Sequence, residues 1–377
     1  MSKRGEKGIT LVALAITVVV LVILAGVAIR SIVGEDGLIE MAEGVASNLE
    51  KTEGQQQTIM DNVYNDMIQV ANPTNPYVSK YVGRVPIPKG FYYVGGSEET
   101  GLVISDHDND LNQGDSHDII QNLQGNQFVW IPVSEQDYAE MIDETTKRGK
   151  LYSFDSNGVG TLIEDCLTTT TGYREPAYLE DSSIADASAN NTVGITPESL
   201  QKQFDDMAAS VKYYKGFYVA RFEASSSSDG TKSQSKYATS IQYSTWYQAY
   251  EKLRNLNTSS TSVTANLIWD CQWDRMLKYV NGSLDGGGVV YNVGATQSSR
   301  HNTSGRMNTG SNINDRVKNI YDISGNIDEW TMGSNSNNAH IKRAGGYWPP
   351  SKASNRGSAT VDKQYYTGRQ TLSIKVP

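Results

Sequence analysis

The segment Ile9–Ile29 (ITLVALAITVVVLVILAGVAI) contains no charged residue. About 20 apolar residues, each rising about 1.5 Å in a helix, match a hydrocarbon core about 30 Å thick. A segment apolar all round lies either in lipid or wholly inside a large core, and this one is expected to cross a membrane, with a buried core helix as the less favoured reading. Lys3, Arg4 and Lys7 precede it, whereas Arg30 is followed by Glu35, Asp36 and Glu40. The basic excess therefore leaves a short N-terminus in the cytoplasm and places the remainder outside. A cleaved secretory signal is the alternative, although its apolar stretch is usually only about 7 to 15 residues.

Beyond Glu35 the pattern becomes amphipathic. Leu38, Met41, Val45 and Leu49, then Ile59, Val63, Met67 and Val70, recur every three or four residues and form one apolar stripe. Asn72-Pro73-Thr74-Asn75-Pro76 ends that helix and opens a linker. From Tyr81 the chain is rich in Gly, Ser, Asn, Thr and Tyr, with apolar bursts at Gly90–Val94, Gln127–Val133 and Gly216–Glu223 that read as short strands. Only Ser244–Leu256 and Leu267–Val280 read as helices there. The expected organisation is thus a leader over 1–8, a membrane helix over 9–32, a stalk over 33–70, a linker over 71–80 and an α+β head over 81–377.

A net charge of -9 excludes a protein that tracks nucleic-acid phosphates, and 34 aromatic residues exclude general disorder. Cys166 and Cys271 allow one disulfide at most, which excludes a disulfide scaffold or a Cys-rich zinc protein. His107, His117, His301 and His340 are dispersed and lack metal-ligand spacing. Asp106-His107-Asp108-Asn109-Asp110 has acidic spacing but neither the glycine nor the final glutamate of a calcium loop, so a solvated turn is expected. Gly286-Gly287-Gly288 is not followed by Lys-Ser/Thr and reads as a flexible turn.

Two resemblances add to this reading. Lys7-Gly8-Ile9-Thr10-Leu11-Val12 ahead of the apolar run resembles a type IV prepilin leader, which implies cleavage between Gly8 and Ile9. Such pilins usually carry a glutamate where this chain has Ala13, so the resemblance implies a processed anchor more readily than a fibre subunit. Within the head, Gly216-Phe217-Tyr218-Val219-Ala220-Arg221-Phe222-Glu223 is similar to "G-F-x-x-x-R-x-E", and Leu267–Asp274 to an "L-P-T-E-A-E-W-E" helix. Asn319–Thr331 is close to "G-L-Y-D-M-x-G-N-V-W-E-W", Arg343–Trp348 to "R-G-G-S-W", and Thr367-Gly368-Arg369 stands in place of "G-F-R". Together with the openings Ile87–Gly96, Gly101–Asp106 and Gly125–Val133, the series resembles the formylglycine-generating enzyme (sulfatase-modifying factor) family.

That resemblance implies a loop-rich, C-type-lectin-like head and a Ca²⁺ ion held by Asn326 and Glu329. Gly325 would make the tight turn with positive φ, and the alternative use of Glu329 is an ion pair with Arg343. Catalytic members hold copper with a cysteine pair between the two arginine motifs; none lies between Arg343 and Arg369, so neither copper nor oxidase activity is expected. Heads of this kind also serve as targets of diversity-generating retroelements. On that resemblance the expected ligand-binding residues are Asn335, Asn337, Asn338, His340, Tyr347, Trp348, Asn355, Tyr365 and Tyr366. The functional expectation is a surface-anchored binding protein for a protein or glycan ligand, held in the membrane by its N-terminal helix and binding no nucleic acid. A minor pilin contacting pilin-like subunits, or an enzyme of the same family, are the alternatives.

Overall fold

The computed structural model describes residues 75–164, 166, 172–179, 193–227, 230–237, 239, 244–295, 307–335, 339–343 and 352–377. In chain order its main strands are β1 (Val78–Val82), β2 (Val85–Pro88), β3 (Tyr92–Gly95), β4 (Val103–Ser105), β5 (Gln127–Pro132), β6 (Tyr173–Arg174) and β7 (Gly216–Ala220). They continue with β8 (Val263–Leu267), β9 (Glu329–Asn335), β10 (Ala339–Arg343), β11 (Arg356–Ala359), β12 (Thr367–Gly368) and β13 (Gln370–Ile374). The helices are α1 (His117–Ile120), α2 (Glu135–Met141), α3 (Pro197–Tyr214), α4 (Trp246–Arg254) and α5 (Asp270–Val280).

An antiparallel six-stranded sheet runs β8-β13-β7-β5-β4-β3. Both faces are covered, so its strands read as continuous apolar bursts: every residue of β7 is buried, as are five of the six in β5. A second sheet runs β6-β9-β10-β11, with β12 joining β9 in parallel. One edge of β9 thus serves two strands, β12 at Glu329-Trp330 and β6 at Ser334-Asn335.

The expected α+β chain, with one N-terminal membrane helix ahead of a C-type-lectin-like head, is corrected by these elements. The described residues form mixed sheets with five α-helices, and none of those helices is long and apolar enough to cross a membrane. The run 9–29 and the amphipathic stretch 35–70, with the cleavage point at Gly8 and Ile9, lie outside the described residues.

Two expected helices are present with trimmed ends, at α4 and α5. The longest described helix, α3, is missed by the sequence reading. Thr196 accepts from Ser199 N and Pro197 occupies the first turn, so its start is well marked. Its exposed face is so polar that the apolar spacing of Leu200, Phe204, Met207, Val211 and Tyr214 is diluted, yet these five are buried. The turn at 106–110 is only partly solvated. Asp110 is buried and accepts from Ser105 Oγ at 2.6 Å and from the Gln124 and Gly125 amides, closing a loop. The Gly286–Gly288 turn is pinned as well: a Cβ on Gly286 would collide with the Ile313 carbonyl, so glycine is required by close approach.

Candidate functional site

The register of the second sheet divides the expected binding residues between its two ends. Glu329 on β9 stands opposite Arg343 on β10, which stands opposite Arg356 on β11, and Thr367 of β12 flanks Glu329 on the other side. β11 and β12 both run parallel to β9, so the residues entering them, Asn355 and Tyr365-Tyr366, emerge at the same end. At about 4.8 Å per strand, three spacings separate them by roughly 14 Å. Asn335 ends β9 at the far end, about 20 Å away at 3.3 Å per residue.

Tyr365 is 65% exposed and Asn355 is exposed, whereas Tyr366 is half-buried with its ring edge-on to Trp330 at 4.8 Å. Asn335 is half-buried. His340 does not face solvent: it is buried and stacks on Trp246 at 3.8 Å, and burial pushes its imidazole down to about 3. Asn337, Asn338, Tyr347 and Trp348 lie outside the described residues. Of the nine, the structure brings Asn355, Tyr365 and Tyr366 to one end.

Two buried charge clusters support that end. In the first, α5 presents Asp270 and Asp274 one turn apart, and each arginine bridges both carboxylates. Arg343 donates Nη1 to Asp270 at 3.0 Å and Nη2 to Asp274 at 2.8 Å. Arg356 donates Nε to Asp270 at 2.8 Å and Nη2 to Asp274 at 2.6 Å, and its Nη1 reaches the Tyr152 carbonyl at 2.8 Å. The ring is neutral, with Asp270, Asp274 and Arg343 buried and the Arg356 side chain only 6% exposed, and such pairing is the condition under which burying ions is tolerable. It also fixes the last residue of β10 and the first of β11, so both ends of the connection 344–355 are tied to one helix.

The second cluster contains both expected metal ligands. Glu329 receives Arg369 Nη2 at 2.7 Å and Nε at 3.2 Å, so its ion-pair partner is Arg369 and not Arg343. Arg369 also donates to the carbonyls of Ala220, Tyr321 and Asp322, joining β7, the 321–328 loop and β12. Asn326 donates to Glu223 at 2.7 Å and accepts from Met307 N at 3.0 Å. The turn has the expected backbone, with Gly325 at φ 112° and Asp322 and Asn326 each at 55°. The Asn326 and Glu329 side-chain oxygens named for calcium already hold protein donors, and among the described residues no group of three or more His, Cys, Asp or Glu side chains could hold a metal ion.

Three buried acids share one guanidinium here. Burial pushes Glu223 well above the usual carboxylate range, aided by Asp322 and Glu329. Burial likewise raises Asp322, and raises Glu329 to about 7 against the opposing pull of Arg369. One positive charge cannot balance three negative ones in a dry site, so the cluster retains protons.

Glu175 is the other perturbed acid. It accepts from the Asp270 and Cys271 amides at the start of α5, and burial and then Asp270 push it up to about 8. Cys166 and Cys271 are both buried, and burial pushes the Cys271 thiol well up, which opposes thiolate chemistry. A cleft of about 640 Å³ lies between β1-β2 and the end of α3 and contains two ion pairs, Arg84–Glu98 and Arg275–Asp137. Sequence reasoning passed over Asp270, Asp274, Arg356 and Glu223. The i,i+4 acids of α5 were the available signal for the ring; nothing local marks Arg356. No family model matches the chain, and no curated protein matches it.

Proposed function

We propose that this is an extracytoplasmic binding protein of the formylglycine-generating enzyme type, without oxidase activity, whose ligand meets the end of the second sheet at Asn355 and Tyr365. The observation that carries this reading is the register: two exposed side chains of the expected set emerge together above a base of buried ion pairs. A rigid base with an exposed tyrosine and an amide suits recognition, because tyrosine offers wide contact area at low entropic cost and amides adapt their hydrogen bonding. The location outside the cytoplasm rests on the sequence, through the basic residues that precede the uncharged run 9–29. The absence of oxidase activity is supported by the burial of both cysteines and by the lack of any cysteine between Arg343 and Arg369.

Sequencing the 3′ end of the gene from many cells of the source population tests the reading. Substitutions should crowd into 344–355 and 362–366 while Asp270, Asp274, Arg343, Arg356 and Arg369 stay fixed. A window as uniform as the rest of the head would overturn the diversified face.

A further inference from the structure

The face of the six-stranded sheet beneath α3 changes chemistry from its centre to its edge. Val129 on β5, Val219 on β7, Thr371 on β13 and Asn266 on β8 stand side by side in register, and Ser373 pairs with Thr264 two residues further along the same face. The central strands present valines there, packed with Phe204 and Met207 of α3 in one core. The last two strands present hydroxyls and an amide.

Helix α3 is fixed over this boundary. Ser210 Oγ donates to the Ile374 carbonyl at 2.8 Å, and the Tyr214 hydroxyl to the Lys375 carbonyl at 2.7 Å. A cleft of about 350 Å³ opens beside it, lined by Gln203 of α3, Thr264, Asn266, Ser373 and the half-buried Tyr77. Sites for small ligands occupy roughly 300–1,000 Å³. Gln203 is held in place by its bonds to the Ser199 carbonyl at 3.0 Å and the Tyr250 hydroxyl at 2.8 Å. Asn266 and Ser373 differ: they are 3% and 7% exposed, yet neither Asn266 Oδ1 nor Ser373 Oγ takes part in a hydrogen bond within the protein. Buried polar atoms in folded proteins nearly always have a partner, so two unpaired ones in a single cleft point to a molecule that completes them.

We infer that this cleft binds a neutral pyranose unit. Its lining is uncharged apart from Asp206 and Lys375, one acid and one base at exposed positions, and Asp206 is paired with Lys202 outside the lining at 2.7 Å. Hydrogen bonding therefore selects the occupant. A half-turn of the Asn266 amide presents its oxygen or its NH2, and the serine and threonine hydroxyls donate or accept, which matches adjacent sugar hydroxyls that do both. The Tyr77 ring and Met207 supply apolar surface for the C–H face of the sugar ring.

The test uses the full chain in a sugar-free detergent, with D-glucose, D-galactose, D-mannose and N-acetyl-D-glucosamine as probes, read by saturation transfer from protein to sugar protons. At least one should bind at millimolar concentration, and Asn266→Leu or Ser373→Ala should weaken it at least about tenfold. Because the Asn266 amide oxygen makes no bond within the protein, Asn266→Leu should leave the melting temperature unchanged or raised, so lost binding is not lost folding. Tyr365→Ala should bind the sugar as the parent does, which separates this site from the face on the second sheet. No binding by any of the four, with Asn266→Leu more stable than the parent, would identify water alone as the occupant and overturn the inference. So would binding that survives both substitutions, or tighter binding of glucuronate or of a blocked alanine dipeptide, which would make the bases at the rim or a peptide the basis of recognition.

Discussion

Arg356→Met should cost far more than an ordinary surface change. The arginine makes three part-buried hydrogen bonds, to Asp270, Asp274 and the Tyr152 carbonyl, and its loss leaves two carboxylates facing Arg343 alone. Asp274 keeps the Tyr152 amide at 2.8 Å, which softens the loss without removing it. Breaking a buried pair while its partners remain typically costs about 3–5 kcal/mol. For a head of this size that lowers the melting temperature by roughly 10 °C. Urea midpoints of the variant and the parent would show the loss. Adding Asp270→Asn restores the charge balance, so the double variant should lose less than the sum of the single ones. A single-variant cost under about 1 kcal/mol, or strict additivity within about 0.5 kcal/mol, would refute the neutral-ring account.

Four further outcomes are expected. Tyr365→Ala should leave the melting temperature unchanged, whereas Tyr366→Ala should lower it through lost packing on Trp330, and thermal scans of the pair separate face from core. Between about pH 4.5 and pH 8 these acids should make stability fall and above it the fall should level off, because Glu329 and Glu175, raised to about 7 and 8, stay protonated in the native state at pH values where the unfolded chain has released those protons; Glu223→Gln should flatten the urea-midpoint profile. His340, lowered to about 3, acts oppositely and only below its unfolded value near 6.5, so His340→Phe should gain about 2 kcal/mol relative to the parent on moving from pH 8 to pH 5. Gly149→Ala should lose about 1–3 kcal/mol in denaturant melts, since its Cβ would lie 2.5 Å from Glu175 Oε2 and 3.1 Å from Cys271 Cβ.

The legible parts of this protein are those whose information is local. The apolar bursts at 127–133 and 216–223 correspond to central strands, because a strand buried on both faces needs an unbroken apolar run. The turn at Asp322–Asn326 announces itself through Gly325, whose backbone freedom is a property of the residue itself. Helix α3 was hidden by its polar face, although Thr196-Pro197 marked its start.

Pairing of distant charges was not legible at all. Glu329 stands in register with Arg343, yet it pairs with Arg369, while Arg343 turns to Asp270 and Asp274 on a helix some 70 residues earlier. Sequence spacing says nothing about which buried carboxylate a guanidinium will reach, since that depends on how a sheet packs against a helix. The same packing buries His340 beneath Trp246 and leaves Tyr365 in solvent, although both lie in one Asn- and Tyr-rich stretch. Composition determined what kinds of side chain were available for a binding face. Only the register of β9 to β12, which brings separate chain segments to one end of a sheet, decided which of them share it.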